Sequence, residues 1–348
     1  MRRYARTVIS SLLLAASLGL AGSAFAAEDV EAWAPTQDAI RASAAGIALP
    51  QTVGGLSLTK SGEASNGGRA VDNYAQYLSE DGVIQATLYV YMPTYADASL
   101  AAYMTDKASM ERFGAKTRRT AYASAAVAGQ PGRAIRAVYD DAADGALTTA
   151  AGFVHAGRWI VKLRITGPTE RRAEVVASLD AMLAALRVDD VATLHATAPA
   201  ARFAACPAAN GAEARLTPAA AGDAAAPQDV RIPRDGKDAL CVRGTVATAD
   251  GTFDMLQQAG RADGPIIVPV DDSGTVLAFE PDAAKRYKLS IHMVGQTDLY
   301  GVYDKVPTPA QVAAIIDGKD PQTAQADAVA AYAADGAVTV SRLAQQGR

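Results

Sequence analysis

The sequence predicts an α+β fold: an antiparallel sheet covered by two helices, followed by a second, smaller α+β domain. Three observations carry this expectation. Residues 157–190 read as a strand, a Gly167-Pro168 break and a helix. On that strand Trp159, Val161, Leu163 and Ile165 alternate with Arg158, Ile160, Lys162 and Arg164, the two-residue period of a sheet with one apolar face. On that helix Val175, Leu179, Met182, Leu183 and Leu186 form one apolar stripe that must lie on a sheet. Upstream, consecutive hairpins point to antiparallel neighbours.

Taken in order, the first 26 residues read as a cleaved export signal. Arg2, Arg3 and Arg6 precede an apolar run over residues 8–20, and Ala24, Phe25 and Ala26 form a small-x-small cleavage site. The run is shorter than the roughly 20 residues that span a bilayer. The expected mature chain starts at Ala27, in the periplasm or outside the cell. Losing three arginines takes 33 basic residues to 30 against 37 acids, a net charge of −7, which disfavours nucleic acid as a partner. The expected division is a sandwich domain over residues 27–190, an Ala- and Pro-rich linker over 191–229 and a second domain over 230–348.

Within the first domain, residues 27–49 suggest a helical arm around Trp33, Ile40 and Ile47, broken by Pro50. A short strand over 52–60 and a turn-rich loop over 61–68 follow. Residues 71–78 and 83–92 form a hairpin about Ser79, Glu80, Asp81 and Gly82. Pro93 ends it, and a helix over 97–113 carries Leu100, Met104 and Ala108. Strands over 133–139, 146–155 and 158–166 complete the order β-β-β-α-β-β-β-α. The motif Leu49-Pro50-x-x-x-Gly54-Gly55-Leu56, the strand from Leu88 to Met92, the strand-helix pair at 157–187 and this order resemble the PsbP/Mog1-like α-β-α sandwich over residues 49–190. That resemblance implies a small binding or assembly module without a shared active site. The second domain is read as strands over 240–248, 266–270, 276–279, 287–294, 299–306 and 337–341, with helices over 309–316 and 322–334.

Chemistry-bearing residues are sparse. Cys206 and Cys241 are the two cysteines, and in an oxidising compartment they are expected to pair. His155, His195 and His292 are far apart in sequence, and the acidic run Asp140 to Gly145 lacks calcium-loop spacing, so neither metal nor cofactor is implied. Ser57 and Lys60 match a Ser-x-x-Lys motif, but on a strand residues three apart point to opposite faces. No nucleophile elbow or phosphate loop occurs.

Of 16 basic residues in 27–190, 12 fall within 107–172 against 5 acids. Arg136, Arg158, Lys162 and Arg164 are therefore candidates for an anion-binding sheet face, or else are paired with acids of a covering helix. Tyr89 and Tyr91 either stack on a sugar or pack under a helix. The functional expectation is an exported, soluble, non-catalytic binding or assembly module of the cell envelope, whose partner is an envelope protein or an anionic small molecule or glycan. The alternative is a periplasmic hydrolase using His292 with Asp298, or Ser273.

Overall fold

The computed structural model of the protein describes residues 32–65, 68–199, 203–207, 212–217 and 240–344. The expected export signal lies outside the described residues, as do residues 200–202, 208–211 and 218–239 of the Ala- and Pro-rich stretch and its flank.

The structure overturns the α+β expectation of a sheet covered by two helices with a smaller α+β domain behind it. Among the described residues the protein is mostly β, 50% strand against 15% helix, with three α-helices. The first departure is at the start. Residues expected to form a helical arm instead form strands β1 (Trp33–Pro35), β2 (Ala39–Ala42) and β3 (Ile47–Pro50) of a four-stranded sheet. Trp33, Ile40 and Ile47 recur every seven residues, which suits a helix, but Gly46 at φ 65° turns the chain back between β2 and β3. The Trp33 indole N–H then donates to the Gly62 carbonyl at 2.8 Å.

The second sheet has eight antiparallel strands in two meanders. The first contains β4 (Thr52–Val53), β5 (Leu56–Glu63), β6 (Asp72–Ser79) and β7 (Gln85–Tyr91), and is followed by helix α1 (Ala98–Arg112). The second contains β8 (Arg118–Val127), β9 (Gln130–Ala142), β10 (Leu147–Ala156) and β11 (Trp159–Pro168), and is followed by α2 (Arg172–Ala185) and the short β12 (Arg187–Val188), which joins the four-stranded sheet. The order β4-β5-β6-β7-β11-β10-β9-β8 sets β7 beside β11. Asp97 caps α1, its Oδ1 accepting from the N–H groups of Ser99 at 2.8 Å and Leu100 at 3.1 Å.

Helix α2 lays Val175, Leu179, Met182 and Leu183 on one face of this sheet, against Leu88, Val161, Leu163 and Ile165. Helix α1 lies on the other face, with Ala98, Ala101 and Ala102 against Ile135, Phe153 and Ile160. Yet α1 is no outer cover. Its Leu100 packs with Leu256, Ile267 and Val276, and its Met104 joins the cluster of Phe253, Met255 and Ile266. Those residues belong to a third sheet, so α1 is enclosed between two sheets.

The third sheet has ten strands. Two short ones, β13 (Ala204–Ala205) and β14 (Leu216–Thr217), precede β15 (Leu240–Thr248), β16 (Gly251–Gln258), β17 (Ile266–Pro269), β18 (Val276–Pro281), β19 (Tyr287–Met293) and β20 (Gln296–Tyr303). Helix α3 (Pro309–Ile316) then leads to β21 (Ala328–Tyr332) and β22 (Val338–Arg342). From β15 to β22 each strand pairs antiparallel with the next. The helix expected over 322–334 is thus replaced by turns and a strand. Ala328, Ala330 and Tyr332 are buried in alternation there, and pairing on both sides overrides the helix preference of alanine.

The Cys206–Cys241 disulfide forms as expected, fastening the exit of β13 to β15. The bridged residues are 35 apart, so removing the bridge in a Cys206→Ser/Cys241→Ser variant should cost roughly 3–4 kcal/mol on the chain-entropy account. Denaturant unfolding of the two proteins checks this: equal midpoints and slopes would show that the link restrains nothing.

Candidate functional site

The four basic side chains expected on one face divide between two. Arg136 on β9 stands opposite Gly152 of β10, a position covered by Leu179 and Leu183 of α2. Its Nε donates to Asp180 of α2 at 2.6 Å. Lys162 stands opposite Phe153, on the face that packs against α1. Arg164, two residues on, places its guanidinium 5.6 Å from the Phe113 ring centre. Arg158 lies farther off, 5.4 Å from the Tyr332 ring centre, with Nη1 donating to the Gly336 carbonyl at 3.2 Å. Alternation along one strand fixes which residues share its face; it does not fix the parity of the neighbour. Arg136 and Lys162 therefore fall on opposite sides of the sheet.

Lys162 has a different role. Its Nζ donates to Asp272 Oδ2, on the turn between β17 and β18, at 2.5 Å, and Thr105 of α1 donates to the same oxygen at 3.3 Å. The Tyr91 hydroxyl reaches the Asp272 carbonyl at 3.3 Å. The pair therefore joins the second and third sheets around α1. Burial pushes the Lys162 ammonium below its ordinary pKa, opposed by the charge of Asp272. Burial also pushes the Asp272 carboxyl up, but the charge and hydrogen bond of Lys162 outweigh it and hold that group below the ordinary carboxylate range. Tyr89 packs near the same ammonium, with Nζ 5.9 Å from its ring centre.

The hydrolase candidates are not brought together. His292 on β19 faces Thr297, whereas Asp298 stands opposite Ile291, on the other side of the sheet, and accepts from Gln296 Nε2 at 2.7 Å. Ser273 turns its hydroxyl onto Asp271 Oδ1 at 2.7 Å, within its own turn. His292 instead sits in a chain that the sequence did not announce. Its Nε2 is 3.0 Å from Ser290 Oγ, and its Nδ1 is 3.1 Å from Thr94 Oγ1 and 3.3 Å from Thr297 Oγ1. Thr94 follows β7, so this chain also crosses between sheets. A hydroxyl beside an imidazole is the start of a nucleophile-base pair, but the imidazole's other nitrogen meets hydroxyls rather than a carboxylate. Ser290 is 2% exposed and His292 1%, so a substrate has no approach. Among the described residues no cluster of three or more His, Cys, Asp or Glu side chains is arranged to hold a metal ion.

A cleft of about 380 Å³ opens where α1 meets the third sheet, floored by Met104, Phe253 and Ile316. Glu111, Asp250 and Asp271 line it with Lys107, a mainly acidic wall that opposes an anion.

The sheet edges differ more sharply than the clefts. Edge strands β1, β4, β12 and β13 are two or three residues long. Edge strand β8 has ten residues, but two register shifts interrupt its pairing with β9, and Arg118 and Arg119 lie along it. Short strands, bulges and charge are the usual ways of blocking an edge. Strand β22 has none of these except Arg342. Its five residues pair with β21 without a bulge, all five are exposed, and among the described residues nothing pairs with its outer side. Its Val338 is 40% exposed and Val340 37%. The β-branched run made β22 legible as a strand, but its position at an edge depends on which strand lies beyond it.

No family model, curated protein or solved structure matches this chain. The resemblance to PsbP/Mog1-like sandwiches expected from the sequence therefore brings no ligand or partner to this chain.

Two measurements follow from the seam between the sheets. Asp272→Ala leaves a buried ammonium without its partner and should cost roughly 3–5 kcal/mol, whereas Lys162→Met combined with Asp272→Asn should cost less. Chemical denaturation of both variants tests this ordering. For His292, burial lowers the pKa from 6.5 to about 4, and its ring neighbours Thr94, Tyr95, Ser290 and Thr297 are uncharged at that pH. The unfolded chain takes up the proton near pH 6.5 and the folded chain only near 4, so stability is complete above 6.5 and falls between these values. The loss is on the order of 3 kcal/mol. A His292→Gln variant should lack it, and coincident pH profiles of wild type and variant would refute the assignment.

Proposed function

We propose that the protein is an exported, non-catalytic assembly module of the cell envelope that takes up a partner polypeptide as an added strand along β22. The single observation that carries this reading is the contrast among edges: β22 is exposed, unbulged and β-branched, while the other edge strands are short or interrupted. Strand addition uses such an edge, main-chain hydrogen bonds supplying affinity and alternate side chains supplying selectivity. The basic start and small-x-small site in residues 1–26 support export, and the Cys206–Cys241 bond suits an oxidising compartment. The anion-binding face is not part of this reading, because Arg136 and Lys162 lie on opposite sides of their sheet. The hydrolase alternative gains no support from the geometry around His292, Asp298 and Ser273.

The test uses the full-length chain in the cells that make it, with a photo-crosslinking residue at Ser341. The chain should be recovered outside the cytoplasm beginning at Ala27, and illumination should attach it to a second polypeptide. Val340→Pro should abolish the adduct while leaving thermal unfolding unchanged. Unprocessed chain retained in the cytoplasm, or an adduct of equal yield in the proline variant, would overturn the reading.

A further inference from the structure

Helix α1 covers only part of its face of the second sheet. It lies over Ile135, Phe153 and Ile160 of β9, β10 and β11, while the same face continues across β7, β6 and β5. There Lys60 and Gln76 are exposed, and Tyr74, Thr87, Tyr89 and the neighbouring Arg164 of β11 are half-buried. Register sets these residues in two rows across the strands. One row runs Lys60, Gln76, Thr87, Arg164, and beside it Gly62, Tyr74 and Tyr89 stand opposite one another in turn. Only a glycine fits at 62: a Cβ there would lie 2.6 Å from the Tyr74 hydroxyl and 2.7 Å from its Cζ, so that ring leans across β5 onto the sheet. Unlike the groups of the seam, these are unspent. Among the described residues the side chains of Lys60, Tyr74, Gln76, Thr87, Tyr89 and Arg164 form no hydrogen bond or ion pair. Lys60 Nζ stands 5.7 Å from the centre of the Tyr74 ring, as Arg164 stands beside Phe113. Asp272, whose charge Arg164 also feels, is bonded to Lys162. On the part of this face that β5, β6 and β7 supply, the acid is Asp72, four residues along β6 from Gln76.

We propose that this open face binds an anionic polysaccharide, a chain of sugars bearing carboxylates, laid across β5, β6, β7 and β11. The occupant follows from spacing and chemistry. Lys60 and Arg164 are three strand spacings apart, roughly 14 Å. With one drawn over Tyr74 and the other toward Phe113, they do not converge on a single small anion, but they can hold two carboxylates of a chain. Arg164 offers the planar fork that matches a carboxylate. Between the two cations, the Gln76 amide, donor and acceptor at once, and the Thr87 hydroxyl suit the adjacent hydroxyls of a sugar. Tyr74 and Tyr89, side by side, give the C–H face of a sugar ring an apolar surface at little cost in side-chain entropy. A polypeptide fits less well, because on a sheet face rather than an edge its backbone N–H and C=O groups find no ladder to join. An acidic membrane fits less well too, since Leu78 is the one aliphatic side chain that β5, β6 and β7 present on this face. The site is separate from β22 and does not depend on strand addition there.

The test is titration calorimetry of the mature chain with three probes: oligogalacturonate, a neutral maltodextrin and polyaspartate. Oligogalacturonate should bind, and the other two should bind at least roughly tenfold more weakly. Lys60→Gln and Arg164→Gln should each weaken oligogalacturonate by roughly tenfold or more, the loss of a hydrogen bond to a charged group. Tyr74→Ala should weaken it as well, whereas Tyr74→Phe should not. Gly62→Ala touches no sugar but displaces the Tyr74 ring, so it should weaken binding in wild type and change nothing in the Tyr74→Ala background. Thermal unfolding checks that each variant folds, and the exposed Lys60→Gln keeps the test decisive should a change at Tyr74 disturb the sheet. Equal affinity for polyaspartate would reduce the face to an effect of charge and overturn the glycan. Equal affinity for maltodextrin would overturn the role of Lys60 and Arg164. No binding of oligogalacturonate, or binding that Lys60→Gln and Tyr74→Ala leave unchanged, overturns the proposal.

Discussion

The arrangement depends on one constraint: α1 must satisfy two sheets at once. A helix on the outside of a protein needs one apolar stripe and spends the rest of its surface on water. Helix α1 is buried at Ala98, Leu100, Ala101, Ala102 and Met104, positions that run around its circumference. The alanines lie against the second sheet, where a small side chain brings the helix axis close to the strands. Leucine and methionine fill the wider space on the third sheet. Moving either sheet would open a gap beside one set or force a clash with the other, and close-packed interiors tolerate neither.

A seam closed in this way must account for every polar group within it. Lys162 comes from the second sheet and Asp272 from the third, and each is charged because the other is near. Removing water from both charges costs several kcal/mol, which their attraction roughly repays, so the pair adds little net stability. Its effect is on selection: a slipped seam would leave an ammonium buried alone, a far larger penalty. Thr94, His292, Ser290 and Thr297 obey the same logic with neutral groups. These contacts resemble chemical machinery in composition, but each is consumed in holding the sheets together.

Legibility followed the strength of local patterning. The hairpin of β6 and β7, helix α1, the β11–α2 pair and the cysteine bond were all readable, because alternation, an apolar stripe or two lone thiols specify them locally. Strand β8 was not anticipated. Its Ala-rich run Ala121 to Ala126 has no apolar face, and its place is fixed by pairing with β9. Strand β16 was hidden by Gln257, a buried amide that donates to the carbonyls of Arg261 at 2.7 Å and Ala262 at 2.9 Å, and so acts as a turn clamp. The basic face failed for a related reason. Each strand's own parity was legible, but the phase between β9 and β11 is set by the strand β10 between them.

The edge at β22 raises the opposite question, why a strand with both faces wet stays formed at all. Among the described residues no strand pairs with its outward side, so the strand stands on its ladder with β21 and on its turn. That turn is well made: Gly336 takes φ 93°, Ala337 N–H donates to Asp335 Oδ1 at 2.8 Å, and Gly336 N–H donates to the Ala333 carbonyl at 2.9 Å. The hairpin is therefore held open as a strand before anything docks on it, and a partner need not pay to order it. Burying Val338 and Val340 would then contribute about 0.8 kcal/mol for each CH₂ group removed from water. A surface that is pre-ordered, apolar on one face and unblocked has the features that other sheet edges in this protein lack, and the same physics that makes it a hazard when unpartnered makes it an effective joint when paired.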